Sequence, residues 1–255
     1  MEIKKVLVSQ PQPESDKNPY NAIATKYGVE ITFRPFVKVE GLTAKEFRAQ
    51  KINIADYTAV VFNSRNAIDH FFRIAEETRV TIPDTMKYFC TTESIAHYLQ
   101  KYIVYRKRKI NFGISGKLDD PQLVAHVMKN KDEKFLFPVA DVHKVQAEYL
   151  ADGTVNCTKA VMFRTVSNDF QPDEKFDYDC IIFFSPAGVM SLKKNFPDIN
   201  ASNQKMAIGA LGPATAKAVT ENGLRLDLSA PAPGTPSMPA ALDQYLATQQ
   251  TPRSL

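Results

Sequence analysis

Two serines stand at equivalent places in two similar stretches of the sequence. Residues 56–64 read DYTAVVFNS and residues 177–185 read DYDCIIFFS, so Ser64 and Ser185 each follow an apolar run. A pattern typical of a helix begins after each serine, and a serine there can cap the helix by accepting a hydrogen bond from a first-turn amide. The same hydroxyl and amides can instead hold a carboxylate or a phosphate, which the helix dipole favours. Both roles stay open, and two such turns could hold one polyanion together.

A third turn of this kind lies closer to the C-terminus. Residues 211–219 read LGPATAKAV, in which Gly212 allows a ligand to approach the backbone closely. Pro213 suits the first position of a helix, and Thr215 offers a hydroxyl near the helix start. The spacing matches neither GxGxxG nor the phosphate-binding loop, so it indicates neither a dinucleotide nor ATP. The structural alternative is a helix start that packs closely against its sheet.

Motifs of metal or covalent chemistry do not occur in the sequence. The four histidines show no HExxH and no paired ligand spacing, and no serine stands in a GxSxG elbow. Cys90 ends an apolar run without an obvious base, and we interpret it as a buried structural thiol. We therefore expect no metal and no covalent nucleophile.

The composition is typical of a globular protein. Of 255 residues, 44% are apolar and 24% are charged, and the net charge is +4. Nucleic-acid-binding proteins usually concentrate positive charge more strongly. The densest basic run, Arg106–Lys109, is either a solvated loop or a patch that attracts an anionic small molecule. With no membrane-length apolar run, no signal-peptide pattern and only three scattered cysteines, we expect a cytoplasmic protein without nucleic-acid or membrane partners.

Apolar runs alternate with helical patterns along the whole chain. This alternation predicts an α/β fold with parallel sheets built from βαβ units. The helical patterns include residues 142–153, which read VHKVQAEYLADG and end at Gly153. The similarity between the two serine-containing stretches favours two sheets rather than one.

Two long extended segments, about 31–40 and 159–167, indicate the domain organisation. A proline interrupts the first segment, and proline is poorly tolerated inside a central strand, so the chain leaves its first sheet there. An insertion between a pair of crossing strands would account for both segments. We therefore predict a discontinuous α/β domain of residues 1–36 and 167–255, and an inserted α/β domain of residues 40–164.

The chain resembles the uroporphyrinogen-III synthase family in four ordered motifs, VVFNSRNAIDHFF, FLFP, IIFFSPAGVMSL and ALGPATAKAVTENGLRLD. The proline-rich APAPGTPSMPAAL is similar to a segment before that family's last helix. The resemblance implies two α/β domains, one inserted in the other and joined by a two-stranded β-ladder, with the active site in the cleft between them. It also implies a cofactor-free, usually monomeric lyase of haem biosynthesis. Such an enzyme closes hydroxymethylbilane, a linear tetrapyrrole, to uroporphyrinogen III with inversion of ring D and loss of water.

The resemblance further implies which residues bind this polycarboxylate substrate. The two serine turns and the glycine turn would hold carboxylates, while FCTTESIA replaces the glycine turn that the family usually has in its inserted domain. Positioning carries most of such a cyclisation, with help from an acid on the leaving hydroxyl. The implied substrate-binding residues are Ser64, Arg65, Thr92, Ser94, Ser185, Gly212 and Thr215.

Two positions depart from the family pattern. Gln10 stands where the family often has arginine, and Phe163 occupies the position of a tyrosine in the ladder strand that is the best candidate for aiding departure of the hydroxyl. No catalytic residue is therefore assigned, and four other phenols stay open for the role: Tyr20, Tyr88, Tyr98 and Tyr149. The run Arg106–Lys109 is hypothesised to supply carboxylate contacts in compensation.

Two other functional classes remain open. The first is a non-catalytic paralogue on the same fold that binds a tetrapyrrole or another polyanion, which the missing ladder tyrosine favours. The second is a glycosyltransferase-like enzyme of two domains, which fits the strand pattern but has no nucleotide-binding motif to support it.

Overall fold

The chain forms two compact units in a computed structural model, which describes residues 2–13, 18–141, 147–150 and 152–249. The first unit comprises Met1–Lys38 and Val166–Leu255, and the second unit comprises Val39–Thr165.

Within the described residues, strands and helices alternate along the chain. The strands are β1 (Lys5–Val8), β2 (Glu30–Phe33), β3 (Val37–Gly41), β4 (Ala59–Phe62), β5 (Lys87–Cys90), β6 (Ile110–Phe112), β7 (Phe135–Ala140), β8 (Cys157–Ser167), β9 (Cys180–Phe183), β10 (Ala207–Leu211) and β11 (Leu228–Ala230). The helices are α1 (Pro19–Tyr27), α2 (Ala44–Ala49), α3 (Arg65–Glu77), α4 (Glu93–Tyr98), α5 (Pro121–Lys129), α6 (Pro186–Asn195), α7 (Pro213–Glu221) and α8 (Met238–Gln249).

The sheet of the first unit has five parallel strands in the order β11-β10-β9-β1-β2. Helices α1 and α8 cover one face and α6 and α7 the other. Because both faces are covered, strands such as β9 are buried at every position and read as continuous apolar runs. The strand order reverses between β1 and β9. This is the topological switch point, outside whose carboxyl edge ligands of open α/β sheets bind.

The sheet of the second unit has the order β3-β8-β7-β4-β5-β6, and its strands from β8 to β6 are parallel. Helices α3 and α4 pack on one face and α5 packs on the other. Helix α3 connects β4 to β5, and α4 connects β5 to β6, so the chain first moves to one side of β4. Helix α5 then connects β6 to β7, which pairs with β4 on its other side. The switch point of this sheet therefore lies between β4 and β7.

The expected α/β fold with two parallel sheets is confirmed, and the differences concern short elements. The extended segment around Pro35 divides into β2 and β3, since residues 34–36 leave the strand conformation. Helix α2 and strand β6 have no counterpart in the pattern-based prediction. The helix expected over residues 142–153 is not borne out where it can be compared: residues 142–146 and 151 lie outside the described residues, and Glu148–Leu150 forms one turn of 3-10 helix.

Candidate functional site

Ser185 lies at the switch point of the first sheet, directly after β9. Its side chain is the N-cap of α6, and the Oγ atom accepts a hydrogen bond of 3.3 Å from the backbone N–H of Gly188. Gln10, two residues after β1, is exposed at the same edge. Because the cap uses the oxygen as an acceptor, the hydroxyl hydrogen stays available to a carboxylate. Capping and binding are therefore compatible at Ser185.

Gly212 ends the neighbouring strand β10 and begins α7. Its φ of 82° and ψ of 155° are open to glycine but strained for other residues. Among the described residues, no side chain caps α7, and apart from the chain neighbours no heavy atom lies within 4 Å of a Cβ built at Gly212. The first-turn amides of α7 thus lack a side-chain partner and carry the positive end of the helix dipole. Thr215 in this turn is only 2% exposed, so its side chain offers a ligand very little surface.

Ser64 lies at the switch point of the second sheet, directly after β4. Its Oγ atom caps α3 by accepting a hydrogen bond of 3.2 Å from the N–H of Ala67. Arg65, the first helical residue, is exposed and donates from Nη2 to Oγ of Ser94 at 3.2 Å. Its guanidinium makes no ion pair among the residues that the structure describes. An unneutralised cation therefore stands beside the capped helix end.

The turn after β5 lies next to this site. Thr92 caps α4 by accepting a hydrogen bond of 3.2 Å from the N–H of Ile95. Gly116, from the loop after β6, approaches Thr92, since a Cβ built at Gly116 would lie 3.5 Å from its methyl group. Asp120 fixes this loop by accepting hydrogen bonds from the amides of Ser115, Leu123 and Ile114, which hold its pKa well below the usual range. The second unit thus brings Ser64, Arg65, Thr92 and Ser94 to one edge, together with a loop that the sequence patterns did not single out.

Phe163 lies on β8 beside the end of β7, and Asp141 donates its backbone N–H to the Phe163 carbonyl at 3.0 Å. Its ring stacks on His70 of α3 at 5.1 Å between ring centroids. Nε of Arg73 donates to Nδ1 of His70 at 3.2 Å, and burial together with the Arg73 charge lowers the pKa of His70. Because Nδ1 accepts this hydrogen bond, the neutral imidazole of His70 carries its proton on Nε2. Sequence motifs gave no signal for this contact, because it joins a helix to a strand far away in the chain.

The four candidate phenols are engaged in different ways. Tyr20 is buried in the first unit, and its hydroxyl has no partner among the described residues. Tyr98 donates to the carboxylate of Asp69 at 3.0 Å, and Tyr149 donates to the carbonyl of Leu118 at 2.8 Å. Tyr88 stands in the first half of β5, near the amino edge of its sheet. None of these hydroxyls forms a hydrogen bond with the serine, threonine or arginine side chains described above.

The basic run Arg106–Lys109 does not lie beside the Ser64 turn. It immediately precedes β6, and Ile110 pairs with Tyr88 in parallel register. The run is therefore at the amino edge of the sheet, whereas Ser64, Thr92 and Ser94 follow the carboxyl ends of their strands. Any carboxylate contacts of the run therefore lie at the other edge of the sheet from these turns, and the hypothesis that it supplies such contacts stays a prediction.

Other kinds of site find no support in the described part of the chain. No group of three or more histidine, cysteine, aspartate or glutamate side chains could hold a metal ion there. Burial raises the pKa of the Cys90 thiol above its ordinary value, consistent with a structural role. None of the helices has the length and apolarity needed to cross a lipid bilayer, as far as the described residues go.

These features define a protein of two doubly wound α/β units, each with a serine-capped helix start at its switch point. Comparison with known proteins identifies the family. The model described as "HEM4: Uroporphyrinogen-III synthase HemD" matches residues 18–240. The chain belongs to this family, which makes it a lyase of tetrapyrrole and haem biosynthesis.

Comparison with solved structures found two similar chains, of which the first shows the same fold. A uroporphyrinogen-III synthetase from Helicobacter pylori is 13% identical with a TM-score of 0.54, the match covering 96% of this chain and 100% of that chain. A mutant uroporphyrinogen III synthase from Thermus thermophilus is also 13% identical with a TM-score of 0.44, covering 97% and 100% of the two chains. The curated protein sequences contain no match to the chain.

Proposed function

We propose that this protein closes hydroxymethylbilane to uroporphyrinogen III, with inversion of ring D and loss of water, and that it holds the substrate by its carboxylates at the two switch points. The observation that supports this reaction is the family match over residues 18–240. The positions of Ser64 and Ser185 support the binding mode, because each follows the central strand whose carboxyl end borders the switch point of its sheet.

The first unit contributes a hydroxyl and two helix starts to this proposal. Ser185 donates its hydroxyl hydrogen to one substrate carboxylate while its oxygen caps α6. The uncapped amides after Gly212 hold a second carboxylate, because a helix N-terminus offers unpaired N–H groups and a favourable dipole. Thr215 contributes through its backbone, since its side chain is buried.

The second unit contributes the only guanidinium among these residues. Arg65 and the hydroxyls of Ser64, Thr92 and Ser94 bind a further carboxylate. A charge-assisted hydrogen bond from a guanidinium is stronger than one from a hydroxyl, so we assign Arg65 the largest single share of substrate affinity in this unit. The enzyme's main task is to fold the flexible substrate so that the substituted carbon of ring D attacks, which is catalysis by positioning.

Several finer points belong to the same proposal. We propose that one inserted domain, about residues 40–164, interrupts a domain made from residues 1–36 and 167–255, in keeping with the two compact units. We also propose a cytoplasmic monomer without nucleic-acid partners, which the modest net charge of +4 supports.

The kinetics of Arg65→Gln test the binding mode. Arg65 makes no ion pair in the described residues, only an exposed hydrogen bond to Ser94 and a contact over the Tyr98 ring, so its loss lowers stability little. In contrast, KM rises about tenfold or more for a lost charge-assisted bond. Arg108→Gln removes the same charge from the amino edge of the same unit and leaves KM unchanged. If both variants have the KM of the wild type, Arg65 does not bind the substrate.

A non-catalytic tetrapyrrole-binding paralogue is the second candidate. The observation that favours it is Phe163, which supplies no phenol at the ladder position. This candidate predicts that the protein binds hydroxymethylbilane and releases no type III product at all, in the wild type as well as in the variants.

A further inference from the structure

The basic run Arg106–Lys109 forms a fixed turn rather than a loose loop. The backbone N–H of Lys109 donates to the carbonyl of Arg106 at 2.9 Å, and the Lys109 carbonyl accepts from the N–H of Tyr88 at 2.7 Å. The turn is thereby tied to β5 at the amino edge of the second sheet. Its charges are thus presented at a defined place, away from the serine turns.

A cavity of about 360 Å³ opens beside this turn, which is within the usual size of small-molecule sites. Its floor consists of buried side chains: Met86, Tyr88 and Ile110 are each at most 5% exposed. Phe72 and Tyr102 form one wall, and their rings stack in parallel with centroids 4.5 Å apart. The cavity is therefore lined by apolar and aromatic side chains as well as by charged ones, and its aromatic wall gives a flat apolar ring a surface to contact.

The mouth of the cavity is cationic. Arg106 and Lys109 line it together with one carboxylate, Asp84, and within the described residues Lys109 makes no ion pair. Arg106 approaches one carboxylate, Asp84, at 3.9 Å, and both side chains are mostly exposed, at 54% and 90%. Such an exposed, loosely spaced pair neutralises little charge. The mouth thus keeps an excess of positive charge.

Two further features of the cavity are unexplained by the fold alone. The Tyr88 side chain is 3% exposed, yet its hydroxyl makes no hydrogen bond in the described part of the chain. Burial and the nearby Asp84 raise the pKa of Tyr88 to about 12, so the hydroxyl stays protonated and can donate. Val104 at the rim is 77% exposed, an apolar side chain that a ligand in the cavity would cover.

We propose that this cavity is a second ligand site of the protein, separate from the serine turns, which binds a small amphipathic anion made of one flat apolar ring system and one carboxylate. The ring lies against Phe72, Tyr102 and Met86. The carboxylate reaches Arg106 and Lys109 at the mouth. This assignment does not depend on the proposed reaction, because none of these residues belongs to the carboxyl edge of the sheet.

Binding of 2-naphthoate to the wild-type protein tests the proposal by calorimetry. We expect saturable binding with one site per chain, and at least tenfold weaker binding of the uncharged 2-naphthamide, which lacks the charge-assisted bonds. Acetate, which has the charge without the ring, does not bind measurably. Absence of saturable naphthoate binding, or equal affinities for naphthoate and naphthamide, would overturn the proposal.

Charge-reversal variants of the same turn locate the site. Arg106→Glu with Lys109→Glu changes two residues that line the cavity, and Lys107→Glu with Arg108→Glu makes the same change on two exposed residues that do not. The first pair lowers naphthoate affinity about tenfold or more, and the second pair lowers it much less. Equal losses in the two pairs would show a general charge effect and contradict a defined site.

Methyl NMR of the unmodified protein gives an independent readout that requires no variant. On addition of 2-naphthoate, we expect the isoleucine methyl signals of Ile82, Ile103 and Ile110, which line the cavity, to shift. Ile114 lies beyond the other end of β6 and is 76% exposed. We expect its methyl signals to remain unshifted. Shifts at Ile114 without shifts at Ile110 would place the ligand at the carboxyl edge and refute the second site.

Discussion

Ser185 offers a way to separate the capping role of a switch-point serine from its binding role. Its Oγ atom accepts from the N–H of Gly188 at 3.3 Å at the start of α6. Aspartate caps a helix as well as serine does, so Ser185→Asp retains the cap and adds a charge that the helix dipole favours. Ser185→Ala removes the cap and adds no charge.

The two variants differ in their expected effects on stability, and the aspartate adds a charge repulsion to binding. Loss of the cap in Ser185→Ala lowers the free energy of unfolding by about 1 kcal/mol, whereas Ser185→Asp unfolds at the wild-type denaturant concentration or above it. In Ser185→Asp the new carboxylate stands about 4 Å from a bound substrate carboxylate, where like charges repel by about 4 kcal/mol at an effective dielectric of about 20. This repulsion corresponds to an upper limit of about a thousandfold in affinity. We expect kcat/KM to fall at least tenfold, since a flexible substrate relieves part of the repulsion.

Urea unfolding and initial rates with freshly prepared hydroxymethylbilane measure the two effects. Ser202→Asp is the matched control, because Ser202 is exposed in the segment before β10, at the opposite edge of the same sheet. It makes the same charge change and leaves kcat/KM unaltered. If Ser185→Asp also keeps the kcat/KM of the wild type, the carboxylate-binding role of Ser185 is refuted and only the cap remains.

Three further changes give separate tests. Gly212→Ala lowers the free energy of unfolding by roughly 1–3 kcal/mol in urea titration, because alanine is strained at this backbone conformation. Phe163→Tyr restores a phenol beside His70 and raises kcat about tenfold or more, since a positioned general acid contributes roughly 10²–10⁴. Glu46→Gln weakens the pH dependence of the melting temperature: hydrogen bonds from Thr43 and Arg164 lower the pKa of Glu46 from 4.5 to about 2, so its stabilising effect is complete above 4.5 and disappears as the pH falls towards 2.

Each of these three tests has a result that contradicts it. An unchanged urea midpoint in Gly212→Ala would mean that the turn relaxes without strain. An unchanged kcat in Phe163→Tyr, with the fold intact by circular dichroism, would show that a phenol at this position takes no part in departure of the hydroxyl. For the pH test, Glu76→Gln is the control, since Glu76 is exposed on the same unit. Equal pH profiles for the Glu46 and Glu76 variants would contradict the role of the hydrogen bonds from Thr43 and Arg164.

The fold could be predicted largely from local patterns. Strands such as β4 and β9 are buried at all four positions, so they read as apolar runs, and helix α3 carries its buried residues at the spacing of one helix face. Strand β6 was not predicted because it is only three residues long. It also follows the charged run Arg106–Lys109, so no apolar run precedes it. Helix α2 has six residues and buries only Phe47, too few for a periodic pattern.

The candidate site could be predicted only in part. Ser64 and Ser185 could be predicted because an N-cap is a local feature with a characteristic residue preference in the sequence. That each lies at a switch point follows from the order of the strands, which depends on pairing between distant segments. The stacking of His70 on Phe163 and the hydrogen bonds of Asp120 to its loop are likewise tertiary contacts, and the cavity beside Arg106 exists only because β5 and β6 pair.

The isomer of the product shows whether the protein catalyses closure with inversion of ring D. Freshly generated hydroxymethylbilane is incubated with the purified protein and, in parallel, with heat-denatured protein; the products are oxidised, and the type I and type III uroporphyrins are separated by chromatography. We expect mainly type III with the native protein and type I, the product of spontaneous closure, with the denatured sample. Type I alone in both samples would contradict the proposed reaction and favour a tetrapyrrole-binding paralogue.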